Sequence, residues 1–253
     1  MPDASSPMRS LDRSLDVLDV LQRAGGPLRL SDVAERAGLT LPTASRILAA
    51  LQARGYVAAE GRRFRPGPSV LAMAHSFLIS DPLVAAARPV MQELSASTGL
   101  TSSLYERVGF DRVLVARVDG RAPLRYELPI GRRLPLHLGA GKAIAVDLDE
   151  DGLVGLADHL GRHPDPSGVP FSREALVDDL DALRRNGYHI SSGERAVGVV
   201  ALSVPVRTPA GELLGALSVA APEEAVDVEE LRGRAAELNR AAYAIAESHS
   251  RGR

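Results

Sequence analysis

The chain of 253 residues contains no cysteine and no tryptophan, few aromatic residues and a single lysine, Lys142. Without thiols it forms no disulfide, no thiolate zinc site and no cysteine nucleophile. It has no run of about 18 apolar residues that could cross a bilayer, and no apolar segment after Met1 that could act as a signal peptide. We therefore expect a cytoplasmic protein with no membrane partner, no metal and no cofactor.

Positive charge is concentrated toward the N-terminus. The first 80 residues carry ten arginines and seven acidic residues, a net charge of +3, whereas the remainder carries −5. This asymmetry indicates a polyanion-binding head on an acidic body. The length suits two domains, each able to bury its own core.

The N-terminal part has the pattern of three helices. The first begins at Ser10, and its expected buried face is Leu11, Leu15, Leu18 and Leu21. A short second helix, capped by Ser31 and ending at Gly38, is followed by a third that opens at Thr40. The third helix has one apolar face and one polar face. The residues that the polar side offers to a DNA groove are Thr40, Pro42, Thr43, Ser45 and Arg46.

Two helices joined by a three-residue turn containing glycine form a helix-turn-helix, whose second helix enters the major groove. Short polar side chains allow close approach, and an arginine reaches phosphates or guanine. The alternative is a three-helix domain whose polar face only meets water. The segment "GYVAAEGRRFRPG" favours DNA binding, because it alternates as a β-hairpin turning at Gly61. We expect Phe64 to pack inward while Arg62, Arg63 and Arg65 contact the DNA backbone as a basic wing.

A linker helix is predicted over residues 68–81, between a DNA-binding domain at 10–67 and a larger domain at 82–250. Its apolar stripe comprises Val70, Leu71, Ala74, Phe77 and Leu78. The stripe packs either against the chain's own domains or against a second copy, and an operator with two half-sites favours the second copy.

Strands and helices alternate irregularly in the larger domain. An amphipathic helix runs to Gly99, and three alternating runs then predict an antiparallel sheet: "LTSSLYERVG", "DRVLVARVDG" and "APLRYELPIG". Helical periodicity returns after Lys142 and in a segment capped by Ser172 and ended by Gly187. Two more strands turn at Ala210-Gly211, and a last helix runs from about 228 to 248. The pattern is that of an α+β domain, GAF-like in its arrangement.

The segment "LPLHLGAGKAI" superficially matches a phosphate-binding loop. A Walker A motif needs glycine where Leu136 stands and a hydroxyl where Ala143 stands, so nucleotide hydrolysis is excluded. His159 and His163 are spaced like a helical metal pair but lack the intervening glutamate, and we expect them on the surface. Asp178, Asp179 and Asp181 read as a solvated, ion-paired helix face, and with no catalytic constellation we expect no enzyme. The alternative is an enzyme or small-molecule binder that retains the helix-turn-helix as an interaction module.

The segments "SLDRSLDVLDVL", "LSDVAERAGLTLPTASRILAALQARGYV" and "FRPGPSVLAMA" resemble the winged helix-turn-helix of the IclR family of bacterial transcriptional regulators. The resemblance continues through "LPLHLGAGKAIAV", "GYHISSGERAVGVVALSVPV" and "GELLGALSVAAP", so it spans roughly residues 10 to 248. It implies a repressor with a mainly helical, hairpin-winged DNA-binding domain joined by the linker helix to a GAF-like effector-binding domain. It further implies that Arg13 lies close to operator DNA and that the protein is a homodimer or a dimer of dimers.

Small residues at strand ends of the larger domain leave space for a ligand. Exposed N–H groups at a helix start attract an anion such as a carboxylate, although close sheet-to-helix packing needs the same residues. The resemblance implies a pocket for a small organic acid, lined by Gly139, Ala140, Ser191, Ala201, Ser218 and Ala220. Main-chain N–H groups of the first two and the Ser218 hydroxyl are expected to hold the carboxylate.

Three positions depart from glyoxylate- and pyruvate-binding members of the family. Ala201 replaces a cysteine, Ser191 an acidic residue and Ala220 a serine. The pocket is therefore expected to be less polar and to take a larger or more aromatic acid. Glu194 matches a family glutamate that we expect to be structural, and Lys142 is expected to order its loop.

Overall fold

The computed structural model describes residues 7–121, 124, 128–163 and 168–252, with the side chains of residues 7 and 8 excepted. The chain divides into two compact units between Ile79 and Ser80. Each unit has its own hydrophobic core, as the length predicts.

The first unit combines helices with a small sheet. Its elements are α1 (Pro7–Arg23), β1 (Leu28–Arg29), α2 (Leu30–Arg36), α3 (Leu41–Ala53), β2 (Val57–Glu60), β3 (Arg63–Pro66) and α4 (Pro68–Ser80). The three strands are antiparallel in the order β1-β3-β2. The core residues are Val17, Leu21, Leu28, Val33, Leu48 and Val57.

The expected buried face of α1 is wrong in its first half. Leu11 and Leu15 are 55% and 52% exposed, whereas Val17 and Leu21 are buried. The helix also begins earlier than expected, at Pro7. Only the C-terminal half of α1 supplies core residues, and leucine spacing does not reveal which turns of a helix are covered.

The start of α2 also differs from the expectation. Ser31 lies inside the first turn, and Arg29 is the N-cap. The Arg29 N–H donates to Asp32 Oδ2 at 3.1 Å, so the aspartate satisfies the helix start. By contrast, α3 begins as predicted, with Thr40 at its N-cap and Pro42 in its first turn. Proline has no N–H, and this has no energetic cost in the first turn because N–H groups there have no partner within the helix.

The second unit is a six-stranded antiparallel sheet with helices on both faces. Its strands are β4 (Thr101–Val108), β5 (Asp111–Val118), β6 (Arg133–Pro135), β7 (His189–Ser192), β8 (Val199–Arg207) and β9 (Leu213–Pro222), in the order β6-β5-β4-β9-β8-β7. Its helices are α5 (Pro82–Thr98), α6 (Gly141–Ala145), α7 (Glu150–Arg162), α8 (Arg173–Asn186), α9 (Val228–Gly233) and α10 (Ala235–Arg251).

Neighbouring residues of the same strand belong to two different hydrophobic cores, one on each face of the sheet. Leu104 and Leu217 join α5 and α10 on one face, whereas their neighbours Tyr105 and Ala216 join α6, α7 and α8 on the other. Successive side chains of a strand point to opposite faces, which explains the division. The predicted α+β fold is confirmed.

Some of the helix and strand ends predicted for this unit agree with the structure, and others do not. Ser172 caps α8, accepting from Ala175 N–H at 3.2 Å, and Gly187 ends it with φ +77°, as predicted. The expected final helix is interrupted at Arg234 into α9 and α10. Half of the strand expected in "APLRYELPIG" falls outside the described residues, and the described residues 124 and 128–131 are not in a strand. The pattern did not predict α7 or β7.

None of the helices within the described ranges is by itself long and apolar enough to span a membrane. The consecutive helices α4 and α5 pass a test of length and composition only when taken together as a broken span.

Candidate DNA-binding surface and ligand cavity

The exposed side of α3 carries the polar residues that the sequence singled out. Thr40, Pro42, Ser45 and Arg46 are exposed, and Thr43 is half-buried. Ala44 and Leu48 bury the opposite face in the core. The hydroxyls of Thr40 and Thr43 lie 2.9 Å apart and hydrogen-bond to each other. No residue in the described part of the chain binds the Arg46 guanidinium, so it is available for a phosphate or a base edge.

The hairpin of β2 and β3 has the expected wing geometry. Phe64 is half-buried against the core, paired in register with Leu28 and Ala59. Arg63 and Arg65 flank it and are exposed on the other face, while Arg62 is exposed in the turn. Arg13 is likewise exposed, on α1.

Two of the three wing arginines donate hydrogen bonds to backbone carbonyl oxygens. The Arg63 Nη1 atom donates to the carbonyl oxygen of Pro27 at 3.0 Å, which holds its side chain beside β1. Arg65 Nη1 donates to its neighbour Pro66 O at 3.3 Å. Such anchored, exposed guanidiniums suit contact with a phosphate backbone rather than base reading.

All six residues expected to contact an effector line one cavity in the second unit: Gly139, Ala140, Ser191, Ala201, Ser218 and Ala220. The strand register explains their convergence, because Ala201 is paired with both Ser191 and Ala220. The space that the centre of a water-sized sphere can reach in this cavity is about 40 Å³. The other described residues that line it are Ser103, Tyr105, Arg112, Arg117, Leu124, Leu128, Glu194, Arg195, Ala196 and Val199.

Sequence reasoning missed Arg112, whose side chain forms part of the cavity wall. The residue is 1% exposed, and its Nη1 atom donates to the carbonyl oxygens of Pro135 and Leu138. Its guanidinium lies 5.2 Å from the centre of the Tyr105 ring, within range of a cation–π interaction. An arginine within an alternating strand reads as an exposed residue, so only the fold reveals this position.

The loop before α6 has two glycines with separate structural reasons. Gly139 has a φ of +51°, a conformation that other residues rarely adopt. A Cβ at Gly141 would overlap the Arg112 guanidinium and the Leu136 carbonyl. The glycines that suggested a phosphate loop therefore serve a tight turn and close packing.

An ionic cluster around the buried Lys142 side chain, here called the Lys142 cluster, lies beside the cavity and comprises Lys142, Asp179, His189 and Glu194. Lys142 is 5% exposed, and its Nζ atom lies 2.7 Å from Asp179 Oδ2 and 2.8 Å from Glu194 Oε1. His189 Nε2 lies 3.3 Å from the same glutamate oxygen. Glu194 Oε2 accepts the Gly139 N–H at 2.8 Å.

The charge state of Glu194 follows from these contacts. Burial by itself raises the pKa of its carboxyl, but hydrogen bonds from His189, Lys142 and the Gly139 N–H, with the Lys142 charge, outweigh burial. The resulting pKa is about 2, so Glu194 is ionised at all physiological pH values.

These contacts correct three expectations. The Gly139 N–H is taken by Glu194 and is therefore not free for an effector carboxylate. Asp179 pairs with buried Lys142 and not with Arg184 or Arg185, although its side chain remains 39% exposed, whereas Asp181 pairs with Arg184 as expected. His159 is not a free surface residue, because it is half-buried and its Nε2 atom lies 3.3 Å from Asp111 Oδ1.

The ligand atoms of Asp179, His189 and Glu194 lie within 4.8 Å of one another, close enough to hold a metal ion. The Lys142 ammonium contacts both carboxylates of this set. The cluster thus already contains a cation supplied by the chain.

A helix-turn-helix with a basic hairpin wing and an α+β unit with a small-molecule cavity define a ligand-responsive DNA-binding regulator. Comparison with known families agrees in both units. The IclR helix-turn-helix domain matches residues 10–61, and the bacterial transcriptional regulator IclR C-terminal domain matches residues 75–247. The chain belongs to the IclR family of transcriptional regulators.

Individual relatives share the whole architecture. The HTH-type transcriptional repressor AllR of Salmonella typhimurium LT2 is 29% identical over 224 residues, covering 87% of this chain and 82% of AllR. An IclR family regulator from Brucella abortus has the same fold, with a TM-score of 0.80 at 24% identity over 95% of this chain and 92% of its own.

A third relative was solved with a ligand. An IclR homologue from Microbacterium hydrocarbonoxydans, complexed with 4-hydroxybenzoate, has a TM-score of 0.70 at 21% identity, covering 95% of this chain and 99% of its own. AllR and the Brucella abortus relative are transcriptional regulators.

Proposed function

We propose that this protein is a dimeric or tetrameric cytoplasmic repressor whose operator binding responds to an aromatic organic acid. Residues 10–67 bind DNA, residues 68–81 form the linker and dimer contact, and residues 82–250 bind the effector. The convergence of all six sequence-predicted effector residues on one cavity carries the proposal.

DNA recognition is assigned to α3 and to the wing. Pro42, Thr43, Ser45 and Arg46 face the major groove, with Thr40 at the helix start and Arg13 nearby on α1. The wing arginines Arg62, Arg63 and Arg65 contact the DNA backbone. Two copies of this surface, related by two-fold symmetry, fit a palindromic operator.

The effector carboxylate is assigned to the Ala140 end of the cavity. The Gly141 and Lys142 N–H groups donate within the loop, to Leu138 O at 3.0 Å and Gly139 O at 3.1 Å. With Gly139 N–H bound to Glu194, the Ala140 N–H and the Ser218 hydroxyl remain to bind the carboxylate. Gly139, Ser191, Ala201 and Ala220 shape the wall.

The part of the effector other than its carboxylate contacts both apolar side chains and a charged one. Ala201 and Ala220 present small, apolar side chains to the cavity, and the Microbacterium relative was solved with 4-hydroxybenzoate, a hydroxylated aromatic acid. Arg112 contributes a fixed positive charge at the wall, which favours an anionic ligand.

A mobility-shift assay on the DNA flanking the coding sequence tests the regulator role. We expect binding at low salt that weakens steeply as salt rises, because arginine–phosphate contacts release counterions. Absence of binding at low salt contradicts the proposal.

Isothermal titration with a panel of acids tests the effector class. Glyoxylate, pyruvate, benzoate and 4-hydroxybenzoate are compared, and binding of the aromatic acids is expected. Binding restricted to glyoxylate and pyruvate contradicts the assignment of an aromatic acid.

A further inference from the structure

Glu194 reaches from the segment after β7 to the loop that precedes α6. One carboxylate oxygen accepts the Gly139 N–H at 2.8 Å, and the other accepts a hydrogen bond from Lys142 Nζ at 2.8 Å. A single side chain therefore holds both the backbone of the loop and the first side chain of α6.

Lys142 extends this connection to another helix. Its ammonium is nearly inaccessible to solvent and pairs with Asp179 of α8 at 2.7 Å. A buried ammonium is tolerated only when it is paired and hydrogen-bonded, so removing either carboxylate leaves a poorly compensated charge. The loop, the β7–β8 segment and α8 are thus joined by the two ion pairs of Lys142.

The loop contributes one backbone N–H group to the cavity, that of Ala140. Gly139 has a positive φ, and with its N–H bound to Glu194 the turn is fixed at that residue. Ala140 follows directly and lines the cavity, and among the residues that the structure describes nothing accepts its N–H.

We propose that Glu194 is a positioning residue for effector binding: through Gly139 and Lys142 it fixes the loop so that the Ala140 N–H points into the cavity. This inference rests on the proposed effector site and extends it, because an internal ion pair, and not the glycines alone, sets the orientation of the anion-binding loop.

Hydrogen exchange of the Gly139 amide tests the proposal without any ligand. The variants are Glu194→Ala, Glu194→Gln and a control, Glu212→Gln, at an exposed position in the β8–β9 turn. Loss of a charge-assisted hydrogen bond in Glu194→Ala is expected to speed exchange on the order of tenfold or more. Glu194→Gln, which still offers an oxygen to Gly139, is expected to give a smaller increase, and the control none.

Titration with 4-hydroxybenzoate and benzoate gives the functional readout. Glu194→Ala is expected to weaken binding of the acid that the wild-type protein binds by roughly tenfold, with partial recovery in Glu194→Gln. If the wild-type protein binds neither acid, the aromatic-effector assignment fails, and the exchange experiment alone decides the role of Glu194.

Two results overturn the proposal. One is an unchanged Gly139 exchange rate in Glu194→Ala, and the other is unchanged acid affinity despite faster exchange. If Glu194→Ala fails to fold, as judged by circular dichroism, Lys142→Met replaces it. This variant keeps the length of the side chain but removes the charge that holds Glu194, so it is expected to change exchange and affinity in the same direction.

Discussion

At the scale of single residues, two arginines of the first unit differ in the hydrogen bonding of their guanidinium groups. Arg46 projects from α3 with its guanidinium unbound by the described residues, whereas Arg63 is anchored to the Pro27 carbonyl. A free guanidinium at a recognition helix selects a base edge, and an anchored one in the wing supplies charge to any phosphate.

We therefore expect Arg46→Ala to lower operator affinity by about 1–3 kcal/mol and to leave binding to random DNA nearly unchanged. Arg63→Ala is expected to weaken both equally and to reduce the salt slope by about 1. Mobility shifts on operator and scrambled duplexes across a salt series measure both. Equal losses on the two duplexes in Arg46→Ala would show that Arg46 does not read bases.

Glu106 of β4 introduces a pH dependence of stability. Burial raises the pKa of its carboxyl to about 7, with a contribution from the negative charge of Asp81, and its Oε1 atom is buried without a hydrogen bond among the described residues. The folded protein keeps this proton to about pH 7, whereas the unfolded chain releases it near 4.5. Stability from this group is therefore present below about pH 4.5 and is lost as the pH rises through 7.

Glu106→Gln is expected to remove this loss. Urea unfolding at pH 5, 6, 7 and 8 should show a smaller decline for the variant, by about 1 kcal/mol, since partial exposure screens the charge. Parallel profiles for variant and wild type would mean that Glu106 is ionised in the folded state at pH 5.

The Lys142 cluster predicts a gain of metal binding on substitution. In Lys142→Ala the oxygens of Asp179 and Glu194 and the nitrogen of His189 lose their internal cation but remain within reach of a single ion. Zn²⁺ is expected to raise the melting temperature of Lys142→Ala but not that of the wild type or of Lys142→Arg, which retains a cation. Equal shifts in all three proteins would place the zinc elsewhere.

At the scale of elements, α4 is unusual because none of its residues is buried. Leu71 is 74% exposed, and Phe77 and Ile79 are also exposed. A helix this apolar gains stability by burying its stripe against a partner, which favours the dimer contact proposed above.

Leu71→Glu is expected to convert the dimer to a monomer at micromolar concentration and to weaken operator binding roughly tenfold or more, because a monomer binds only one half-site. Ala72→Glu places the same charge on the opposite side of the helix and serves as the control. Sedimentation velocity gives the mass. A dimeric Leu71→Glu protein would move the contact away from this stripe.

The sequence predicted elements well where a local signal decides their ends, as for α3 and α8. It predicted less where tertiary cover decides. Leu11 and Leu15 repeat like core residues but are exposed, because nothing in the part of the chain that the structure describes covers their turns of α1. The cap of α2 was misassigned because Ser31 is a preferred capping residue, whereas the backbone places the N-cap at Arg29, a residue type with no capping preference.

Some residues of the candidate site were predicted from the sequence, and others are found only in the structure. Gly139, Ser191 and Ala220 were reached through family resemblance, and the strand register brings them together. Arg112 and Asp179 were missed as site residues, because their roles depend on contacts between segments far apart in the chain. Burial of a charge leaves no local pattern in the sequence.

At the scale of the whole molecule, the proposed DNA-binding surface and the proposed effector cavity belong to separate compact units, so the proposed regulation requires that the two binding equilibria are linked. An effector with equal affinity for both DNA-binding states shifts nothing. Linkage is also reciprocal: the factor by which the acid changes operator affinity must equal the factor by which the operator changes acid affinity.

We expect titration of the acid into free protein and into the protein–operator complex to give affinities that differ by that same factor, within the range of about 5–150-fold typical of allosteric proteins. Equal acid affinities in the presence and absence of operator would mean that the cavity does not control DNA binding.

The burial of Lys142 also has a consequence for covalent regulation. Lysine acetylation neutralises DNA-binding surfaces by removing ammonium charges. Here the only lysine lies inside an ionic cluster, and the side chains assigned to DNA contact include arginines but no lysine. We therefore expect lysine acetylation to leave the charge of the proposed DNA-binding side chains unchanged.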